Sequence, residues 1–414
     1  MMYMQLFPHQ DRALNDTYKH SRVAYYLDMG LGKTFVGSEK MWELNTPYNL
    51  LICQKSKIDD WKEHFEQHYD YKVIVFDKQQ LEHIPPESVL IINYDKVWRR
   101  DELKKLKDFT IMLDESSMIK NEKSNRSKFI LGLNAENVIL LSGTPTGGKY
   151  EELWSQLHLL GWNISKKLFL KQFVVQEWDD KNQQMKITGY KNVERLKAKL
   201  KKHGAVFMKT EEVFDLPNTN EIPVKIPVTK MYNEFKKHHI IEIGEELLIG
   251  DTPAAKKLYL RQLAGSYNEH KLQYIKDLIE STNDRIIIFY NFKKEYMALV
   301  DLIERPIATI NGDIKDLSAY EKHDNSVTLI QYQAGAMGLN LQKANKIVYF
   351  TLTDKSELFE QSKKRTHRIG QKRPCFYYYL LTDGSIEWRM LDVLKERRDY
   401  TDALFEKEED VNAQ

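Results

Sequence analysis

A glycine-rich stretch near the start of the chain, LDMGLGKT, contains the residue types needed to bind phosphate. It follows an apolar run typical of a strand and precedes a helix-like stretch. Gly30 and Gly32 allow positive φ and a close backbone approach, so amides at the start of the helix can surround phosphate oxygens. Lys33 would then reach the outer phosphates, and the Thr34 hydroxyl would bind Mg²⁺. The pattern predicts a nucleoside triphosphate site. The alternative is a glycine-rich turn that carries Lys-Thr by chance.

Two later apolar runs also end in polar residues suited to this chemistry. The run FTIMLDESS ends in Asp114 and Glu115, and LLSGTP places Ser142 and Thr144 at the end of the next strand-like run. The carboxyl ends of parallel strands share one edge of a sheet, where Asp114 can hold Mg²⁺ and Glu115 can polarise an attacking water. Three strand-end motifs in this order predict hydrolysis of a nucleoside triphosphate.

The elements that must position these residues form an alternating pattern. Near-continuous apolar runs alternate with amphipathic stretches, which is typical of parallel sheets covered by helices on both faces. In the first part of the chain the predicted strands are residues 22–28, 49–54, 72–77, 88–94, 109–115 and 137–144. The alternation resumes later at residues 285–290, 307–312, 327–332, 346–350 and 375–381. The sequence therefore predicts an α/β protein with two sheets.

The region between these two patterns differs from both of them. Residues 150–205 are predicted to be mostly helical, and the stretch FDLPNTNEIPVKIPV, with three prolines, is predicted to be a hinge or linker. The run FYYYLL favours a buried strand over a base-stacking platform. His64 and His68 stand four residues apart, but without a third ligand a polar helix face is favoured over a metal pair, and KKHH at 236–239 reads as a solvated helix face.

Composition limits the classes of partner. The 414 residues include 62 basic and 60 acidic side chains, a net charge of +2, so any affinity for nucleic acid must come from local clusters of Lys and Arg. Two distant cysteines argue against a disulfide framework and against a zinc site. No apolar stretch approaches the roughly 18 residues needed to span a bilayer. We therefore expect a cytoplasmic protein without a membrane partner.

Together these motifs resemble those of the Swi/Snf-type ATPases of helicase superfamily two, in particular a compact bacterial or bacteriophage-like member. Besides the motifs above, the stretches LFPHQ, LLICQKSKIDDWKEHF, LIINYDKV, MKTEEVFDLP, YQAGAMGLNLQKANKIVYF and EQSKKRTHRIGQKRP are similar to segments of that family, in the family's order. The resemblance implies two RecA-like lobes with parallel sheets, helical additions and an ATP cleft between the lobes. The implied ligands are ATP and Mg²⁺.

The resemblance also implies roles for individual residues at the nucleotide. Gln10 occupies the position of an adenine-reading glutamine, and Leu31 and Gly338 fall within nucleotide-binding motifs. Gln361, Arg365 and Arg368 match the spacing of the family's sixth motif, whose arginines point at the phosphates. Since these positions are four and three residues apart, a shared helix face is expected. The resemblance thus implies that Arg365 and Arg368 are catalytic, whereas Lys363, Lys364, Lys372 and Arg373 fit either a solvated or a phosphate-facing surface.

Two departures from the family pattern affect coupling and nucleic-acid binding. The chain has Asp-Glu-Ser-Ser where the family often has Asp-Glu-Ala-His, so Ser117 becomes the candidate for the coupling role of the histidine, together with Ser142 and Thr144. The fifth motif lacks its usual Ser/Thr-rich start. The positions that match contacts with the nucleic-acid backbone are Lys55, Asn93, Tyr94, Lys120, Asn121 and Gln333. Such contacts bind DNA with little sequence preference.

The predicted organisation is a lobe at 1–210 with a helical addition at about 150–205, a linker at 211–228, a second lobe at 229–400 and a frayed acidic tail at 401–414. The leading hypothesis is a monomeric DNA-dependent ATPase that moves along double-stranded or branched DNA. The first alternative is a strand-separating helicase, although no pin or wedge element is visible between the motifs. The second is an ATP-gated scaffold that recruits a nuclease or a replication protein, and an RNA substrate is a more distant alternative.

Overall fold

The alternating pattern of the sequence produces two parallel sheets, each in its own lobe. The computed structural model describes residues 5–77, 81–180, 183–334 and 339–405. Lobe 1 comprises the chain up to Phe214 together with residues from Asp399 onward, and lobe 2 comprises Asp215–Arg398. The predicted fold class, α/β with two parallel sheets, is confirmed.

Lobe 1 is built on a seven-stranded sheet in which every neighbouring pair is parallel. Its spatial order is β3-β4-β2-β5-β6-β1-β9. The strands of this sheet are β1 Arg22–Leu27, β2 Tyr48–Cys53, β3 Lys72–Val75, β4 Ser88–Asn93, β5 Phe109–Asp114, β6 Asn137–Leu141 and β9 Ala205–Met208, and a separate hairpin contains β7 Val174–Asp179 and β8 Gln184–Tyr190. Each strand predicted before residue 145 is present.

Helices cover both faces of this sheet, as its burial pattern requires. They are α1 Pro8–Asp16, α2 Lys33–Leu44, α3 Ile58–His68, α4 Tyr94–Val97, α5 Asn125–Leu131, α6 Trp154–Leu159, α7 Lys166–Phe173 and α8 Val193–Lys202. Successive residues of one strand enter different cores: Tyr26 packs with one hydrophobic cluster, and Tyr25 and Leu27 pack with the other. Burial of both faces explains why these strands read as continuous apolar runs.

The hairpin β7–β8 interrupts the region that the sequence predicts to be mostly helical. Trp178 pairs directly with Met185 across the two antiparallel strands, and these side chains are 58% and 51% exposed. Most residues of the two strands are exposed or half-buried, so neither strand shows the continuous apolar run that indicates a buried strand. The structure therefore contains a partly exposed hairpin between the motifs that was not predicted.

Lobe 2 contains a second seven-stranded sheet, in the order β10-β18-β17-β13-β16-β14-β15. Its strands are β10 Thr219–Ile226, β13 Ile286–Tyr290, β14 Ile307–Ile310, β15 Lys315–Asp316, β16 Val327–Gln331, β17 Lys346–Tyr349 and β18 Cys375–Thr382, and a hairpin is formed by β11 Ile240–Ile243 and β12 Glu246–Ile249. All neighbours in the large sheet are parallel except β14 and β15. The aromatic run in β18 is a buried strand, as predicted, with Tyr377 and Tyr379 in the core.

The proline-rich segment predicted to be a linker contributes an edge strand to this sheet. Residues 219–226 form β10, which pairs along its whole length with β18. Pro223 lies within β10, and a proline is tolerated there because an edge strand has one side free of ladder hydrogen bonds. The prolines of this segment therefore mark an edge of the sheet as well as a connection.

The helices of lobe 2 are α9 Lys230–His238, α10 Pro253–Ala264, α11 Glu269–Glu280, α12 Lys293–Leu302, α13 Ser318–Lys322, α14 Ser356–Lys363 and α15 Ile386–Phe405. The last residues of α15 belong to lobe 1, where Leu404 and Phe405 enter the hydrophobic core. Residues 401–405 are therefore helical rather than frayed, because apolar side chains anchor the end of the helix. Within the described ranges, no helix is long and apolar enough to cross a membrane.

Candidate nucleotide-binding and hydrolysis site

The phosphate loop joins β1 to α2 in the conformation that its glycines predict. Gly30 has φ of 91° and Gly32 has φ of 77°, both in the left-handed region. A Cβ atom at Gly32 would lie 2.0 Å from Nε2 of Gln10, so glycine is required there for space as well as for conformation. The loop therefore presents the amino end of α2 as a site for an anion.

Gln10 lies against this loop, as the resemblance implied. Its Nε2 donates to the carbonyl of Leu31 at 3.2 Å, and its Oε1 accepts from the amide of Phe7 at 2.9 Å. His9, which the sequence analysis did not identify, also contacts the Leu31 carbonyl, at 3.0 Å. Two side chains from α1 thus hold the loop at Leu31, which is itself fully buried.

The Lys33 ammonium lies at the end of β1, where two carbonyls hold it. Its Nζ donates to Leu27 O at 2.8 Å and to Asp28 O at 3.3 Å. A Cβ atom at Gly143 would be 3.2 Å from the same Nζ, so the residue after Ser142 approaches Lys33 closely. Thr34 follows in the first turn of α2 and is half-buried. The structure therefore brings two of the three strand-end motifs into contact.

The start of the segment MKTEEVFDLP is tied to the same loop. The Asp28 Oδ2 atom accepts hydrogen bonds from the amide of Thr210, at 3.1 Å, and from its hydroxyl, at 3.2 Å. Thr210 is fully buried and Asp28 nearly so. Because the two residues are far apart in the chain, their types and spacing contained no signal for this link, which attaches the segment after β9 to the phosphate loop.

The acid pair lies at the end of β5 in a strained turn. Glu115 has φ of 56°, an unfavourable conformation for a residue with a Cβ atom. The buried hydroxyl of Tyr94 supports the turn by donating to Asp114 O at 2.9 Å and to Glu115 O at 3.3 Å. Neighbouring structure therefore sets the direction in which the Glu115 carboxylate leaves the strand.

Burial and hydrogen bonding have opposite effects on the pKa of Asp114. Burial raises the pKa of its carboxyl above the ordinary value, while the indole of Trp61 and the charges of Lys33 and Lys57 favour the ionised form. The Trp61 Nε1 atom donates to Asp114 Oδ2 at 2.8 Å. A carboxylate held in this way at the end of β5 is a suitable oxygen donor for Mg²⁺. Trp61 is a site residue that sequence reasoning missed, although its place in LLICQKSKIDDWKEHF was a signal.

Replacing Trp61 with phenylalanine tests this support for Asp114. We expect the Mg²⁺ concentration that gives half-maximal ATP hydrolysis to rise about ten- to a hundredfold, since one hydrogen bond to a charged group contributes about 1.5–3 kcal/mol. Without the indole the pKa of Asp114 rises further, so the loss should grow as the pH is lowered. The measurement is a Mg²⁺ titration of ATPase activity at two pH values.

Trp154→Phe is the matched control. The Trp154 indole donates a hydrogen bond to Ile164 O at 2.8 Å, which this substitution removes. Unlike the bond of Trp61, it does not involve Asp114. Equal Mg²⁺ requirements in the two variants would show that Trp61 is only a packing residue.

Ser142 connects the third motif with the acid pair. Its hydroxyl lies 3.5 Å from Glu115 Oε2 and accepts the amide of Thr144 at 3.1 Å. Ser116 and Ser117 lie in a short 3₁₀ helix, Ser116–Ile119, and both are buried. The coupling role inferred for Ser117 stays a prediction. The Ser116 hydroxyl donates to the side chain of Gln156 on α6, a link that sequence reasoning missed.

In lobe 2 the expectation that Gln361, Arg365 and Arg368 share a helix face is wrong. Helix α14 ends at Lys363, so both arginines lie in the turns that follow it. Tertiary contacts position them: the Leu341 amide donates to the Arg365 carbonyl at 3.0 Å, and Arg368 Nη1 donates to Leu339 O at 3.3 Å and to the Asn340 side chain. Burial lowers the pKa of Arg368, but a guanidinium stays charged.

The contacts of these two arginines connect the sixth motif with the fifth. Leu339, Asn340 and Leu341 follow the glycines of YQAGAMGLNLQ. Gly338, predicted to bind the nucleotide, lies outside the described residues. Gln361 is half-buried on the last turns of α14. Its predicted role at the nucleotide and that of the arginines stay predictions.

The basic stretch KKRTHRIGQKR is only in part the solvated patch that its composition suggests: Lys372 and Arg373 are exposed, whereas Lys363 is buried. Lys363 is 8% exposed, and its Nζ donates to Glu221 Oε1 at 2.9 Å. Arg398 Nη1 donates to the same oxygen at 2.8 Å. Burial raises the pKa of Glu221, but the two cations outweigh it and hold the pKa below its ordinary value. Arg373 bonds Asp284 Oδ1 at 2.8 Å, so part of the positive charge is used inside the lobe.

Replacing Lys363 with alanine tests this internal role. We expect a loss of about 2 kcal/mol in the free energy of unfolding, because the half-buried Glu221 carboxylate then loses one of its two cationic partners. Lys372→Ala is the matched control, because Lys372 is exposed and its replacement should change the free energy of unfolding little. Ionised Glu221 stabilises the fold at pH values above its unfolded pKa. The difference in the free energy of unfolding between the wild type and Lys363→Ala should therefore shrink as the pH falls through the lowered folded pKa of Glu221. Urea unfolding at pH 7 and pH 3 measures both effects, and equal stability of the two variants at pH 7 would contradict this account.

The residues matched to nucleic-acid contacts divide into two groups. Lys55, Asn121 and Gln333 are exposed and Lys120 is half-buried, with its Nζ 3.9 Å from Glu152 Oε1. By contrast, Asn93 is buried and caps α4 by accepting the amides of Asp95 and Lys96 at 3.0 and 2.9 Å. Both side chains are buried, and Asn93 Oδ1 and the Tyr94 hydroxyl are already hydrogen-bonded within the lobe, which disfavours a contact from either residue to a nucleic-acid backbone.

Of the histidine pair, His68 is exposed on the helix face, as predicted, whereas His64 is part of the interior. His64 is 9% exposed, and its Nε2 lies 2.9 Å from the Ser38 hydroxyl. Burial, together with His68, lowers the pKa of His64 to about 4, so the ring is neutral at physiological pH. Among the described residues, no cluster of three or more His, Cys, Asp or Glu side chains has the geometry of a metal site. Lys236, Lys237, His238 and His239 are exposed, as expected for KKHH.

Comparisons with known proteins agree with the motifs. A family model described as the SNF2-related domain matches residues 26–281, and the helicase conserved C-terminal domain matches residues 270–370. The putative ATP-dependent helicase/translocase YwqA of Bacillus subtilis is 24% identical over 92% of this chain and 46% of its own length. A SWI/SNF-related matrix-associated actin-dependent regulator of chromatin subfamily A-like protein 1 of Drosophila melanogaster is 27% identical over 94% of this chain and 54% of its own length.

Among solved structures, the Sulfolobus solfataricus SWI2/SNF2 ATPase core in complex with dsDNA is 21% identical, with a TM-score of 0.47, over 96% of this chain and 92% of that one. The chain spans about half the length of the two curated relatives described above. Because the SNF2-related domain model matches more than half of its residues, the chain belongs to the SNF2-related family of helicase-like ATPases.

Proposed function

We propose that this protein hydrolyses ATP in a Mg²⁺-dependent reaction and uses the energy to move along double-stranded or branched DNA. The observation that supports this most is the meeting of three strand-end motifs in lobe 1. A Cβ atom at Gly143 would lie 3.2 Å from Lys33 Nζ, and Ser142 Oγ lies 3.5 Å from Glu115 Oε2. The residues that we propose for phosphate binding, for activation of water and for coupling therefore lie at one edge of the sheet.

In this proposal each residue has a defined task. The amides of the glycine loop and Lys33 bind the phosphates, and Thr34 and Asp114 hold Mg²⁺, which neutralises charge on the phosphate oxygens when bound. Glu115 orients the attacking water. Arg365 and Arg368 stabilise the charge that develops on the transferred phosphoryl group. Gln10 reads the adenine.

DNA is the proposed polymer because of the relatives and the exposed side chains. Two further relatives are named ATP-dependent DNA helicase DDM1, from Arabidopsis thaliana, and DNA annealing helicase and endonuclease ZRANB3, from Mus musculus. In this chain Lys55, Lys120, Asn121 and Gln333 are the contacts we propose for the DNA backbone. Binding through phosphates predicts a steep fall of affinity with salt and little dependence on sequence.

The test is steady-state ATP hydrolysis without nucleic acid and with single-stranded DNA, duplex DNA, four-way DNA or RNA. Strong stimulation by duplex or four-way DNA is the expected result. Equal activity with and without nucleic acid would contradict a DNA-driven motor and would favour the ATP-gated scaffold that recruits a nuclease or replication protein. Preferential stimulation by RNA would change the substrate class.

A strand-separating helicase is the second candidate, and the hairpin β7–β8 favours it. Its cross-strand pair of Trp178 and Met185 is more than half exposed, and an exposed aromatic ring can stack on an unpaired base. Displacement of a third strand from a triplex reports movement along duplex DNA, whereas release of a labelled strand from a fork reports separation. Trp178→Ala should reduce fork unwinding and leave triplex displacement unchanged if the hairpin acts as a pin.

A further inference from the structure

We propose that Gln156 is a positioning residue that links the acid-pair turn to the segment after the SGTP motif. Gln156 lies on α6, outside every motif named above, and is fully buried. Its Oε1 accepts from the Ser116 hydroxyl at 2.7 Å and from the Tyr26 hydroxyl at 3.0 Å. Its Nε2 donates to the carbonyl of Pro145 at 2.7 Å. One amide group thus joins three segments of lobe 1.

The two ends of this link lie next to the residues that act on ATP in the proposed function. Ser116 directly follows Glu115, and Pro145 directly follows Thr144. The side-chain amide is planar, so a shift of the Ser116 hydroxyl reorients the group that holds the Pro145 carbonyl. At 2.7 Å both contacts are shorter than the 3.5 Å contact between Ser142 and Glu115. The path through Gln156 is therefore the better-formed connection between the two motifs.

Burial makes this link costly to break. Ser116 and Gln156 are both fully buried, so an unpaired group there costs about 1–3 kcal/mol. Glu115, between Asp114 and Ser116, is held at φ of 56°, where the direction of its carboxylate depends on its neighbours. An alanine at position 116, as in Asp-Glu-Ala-His, has no donor for Gln156. The serine of this chain therefore supplies a contact between the motifs that an alanine does not.

The inference rests on the proposed function, because the link affects a reaction only if Glu115 acts on ATP. The test compares Ser116→Ala with Tyr26→Phe. Each variant removes one buried hydroxyl that donates to the same oxygen of Gln156, so the losses in stability should be similar. Only Ser116→Ala interrupts the path from Glu115 to Pro145, whereas Tyr26→Phe leaves that path continuous.

We expect Ser116→Ala to lower kcat for ATP hydrolysis about tenfold with KM for ATP nearly unchanged, since a small misplacement of a catalytic group has effects of this size. Tyr26→Phe should stay within about twofold of the wild type, because it loses only one neutral hydrogen bond away from the acid pair. Equal kcat values for the two variants would overturn the inference. Measurement of the wild-type protein alone shows whether ATP is hydrolysed. A failure of the proposed function would therefore be recognised independently of the comparison between the two variants.

Amide hydrogen exchange of residues 143–147 without nucleotide provides a readout independent of activity. Ser116→Ala lets the Gln156 amide pivot about its remaining contact with Tyr26, so exchange in this segment should be faster than in Tyr26→Phe. Identical exchange in the two variants would overturn the link even if kcat differed. Melting temperatures of both variants show whether a change in exchange reflects global unfolding instead.

Discussion

Arg368→Ala is expected to lower the rate of ATP hydrolysis about a thousandfold, the effect typical of losing an arginine that stabilises the transferred phosphoryl group. The Arg368 guanidinium is held in a turn after α14 by Leu339 O and the Asn340 side chain. These bonds orient a permanently charged planar group without using an acid, so its charge stays available to an anion. Steady-state ATPase measurements with saturating DNA test this expectation.

Arg373→Ala is the matched control because both arginines belong to the same basic stretch. Arg373 bonds a backbone carbonyl, Lys343 O at 3.0 Å, as Arg368 does, but its second partner is the carboxylate of Asp284. Its charge is therefore compensated within lobe 2, and its loss should affect stability rather than turnover. Arg368→Lys should not restore the rate, since an ammonium does not reproduce the planar fork of a guanidinium. Similar rates for Arg368→Ala and Arg373→Ala would remove the catalytic assignment.

The second large effect is expected for Glu115→Gln. The amide cannot accept a proton from water, so kcat should fall by about a hundred- to ten-thousandfold, the range for loss of a positioned general base. Binding of ATP should persist, because Lys33 and the glycine loop are unchanged. Single-turnover hydrolysis and equilibrium binding of a fluorescent ATP analogue separate the two effects.

Glu122→Gln is the control for this experiment. Glu122 follows the same motif closely, and its Oε2 accepts from Lys166 Nζ at 3.1 Å, an ion pair that does not involve the strand-end residues. Its loss should leave kcat within about twofold of the wild type, as expected for a partly exposed pair. A Glu115→Gln variant that hydrolyses ATP as fast as Glu122→Gln would show that another group orients the water.

Charge and burial explain why the two predictions with the largest effects concern these residues. Glu115 stands at the end of β5 beside the Ser142 hydroxyl, and the Arg368 guanidinium donates to a backbone carbonyl and a neutral amide side chain. By comparison, Lys363 is paired with Glu221 and packs 4.5 Å from the centre of the Phe359 ring. Residues of one basic stretch therefore divide into those that stabilise lobe 2 and those available to a ligand.

The sequence predicted the parts of the molecule that depend on local patterns. Continuous apolar runs predicted the parallel strands, since strands buried on both faces need apolar residues at every position. The positions of Gly30, Gly32, Lys33, Asp114 and Ser142 at strand ends predicted a common site, because parallel strands present their carboxyl ends at one edge of a sheet. These inferences need chain order and residue type but no knowledge of distant contacts.

Other features depended on contacts between distant residues and were decided only by the tertiary structure. Pro223 lies in an edge strand rather than in a free linker, and Arg365 and Arg368 lie beyond the end of α14, where contacts with residues 339–341 replace helix geometry. The pairing of Lys363 with Glu221 spans 142 positions of the chain, and that of Ser116 with Gln156 spans 40.

The physical reason is the same in each case. A polar side chain can be satisfied by water or by any partner of suitable chemistry, so its type and its sequence neighbours do not identify its partner. Burial removes water as an alternative, and the packing of the lobe then selects a single partner. The sequence by itself therefore determined the strands, the phosphate loop and the class of chemistry, whereas the fold decided which charged and polar groups are used internally.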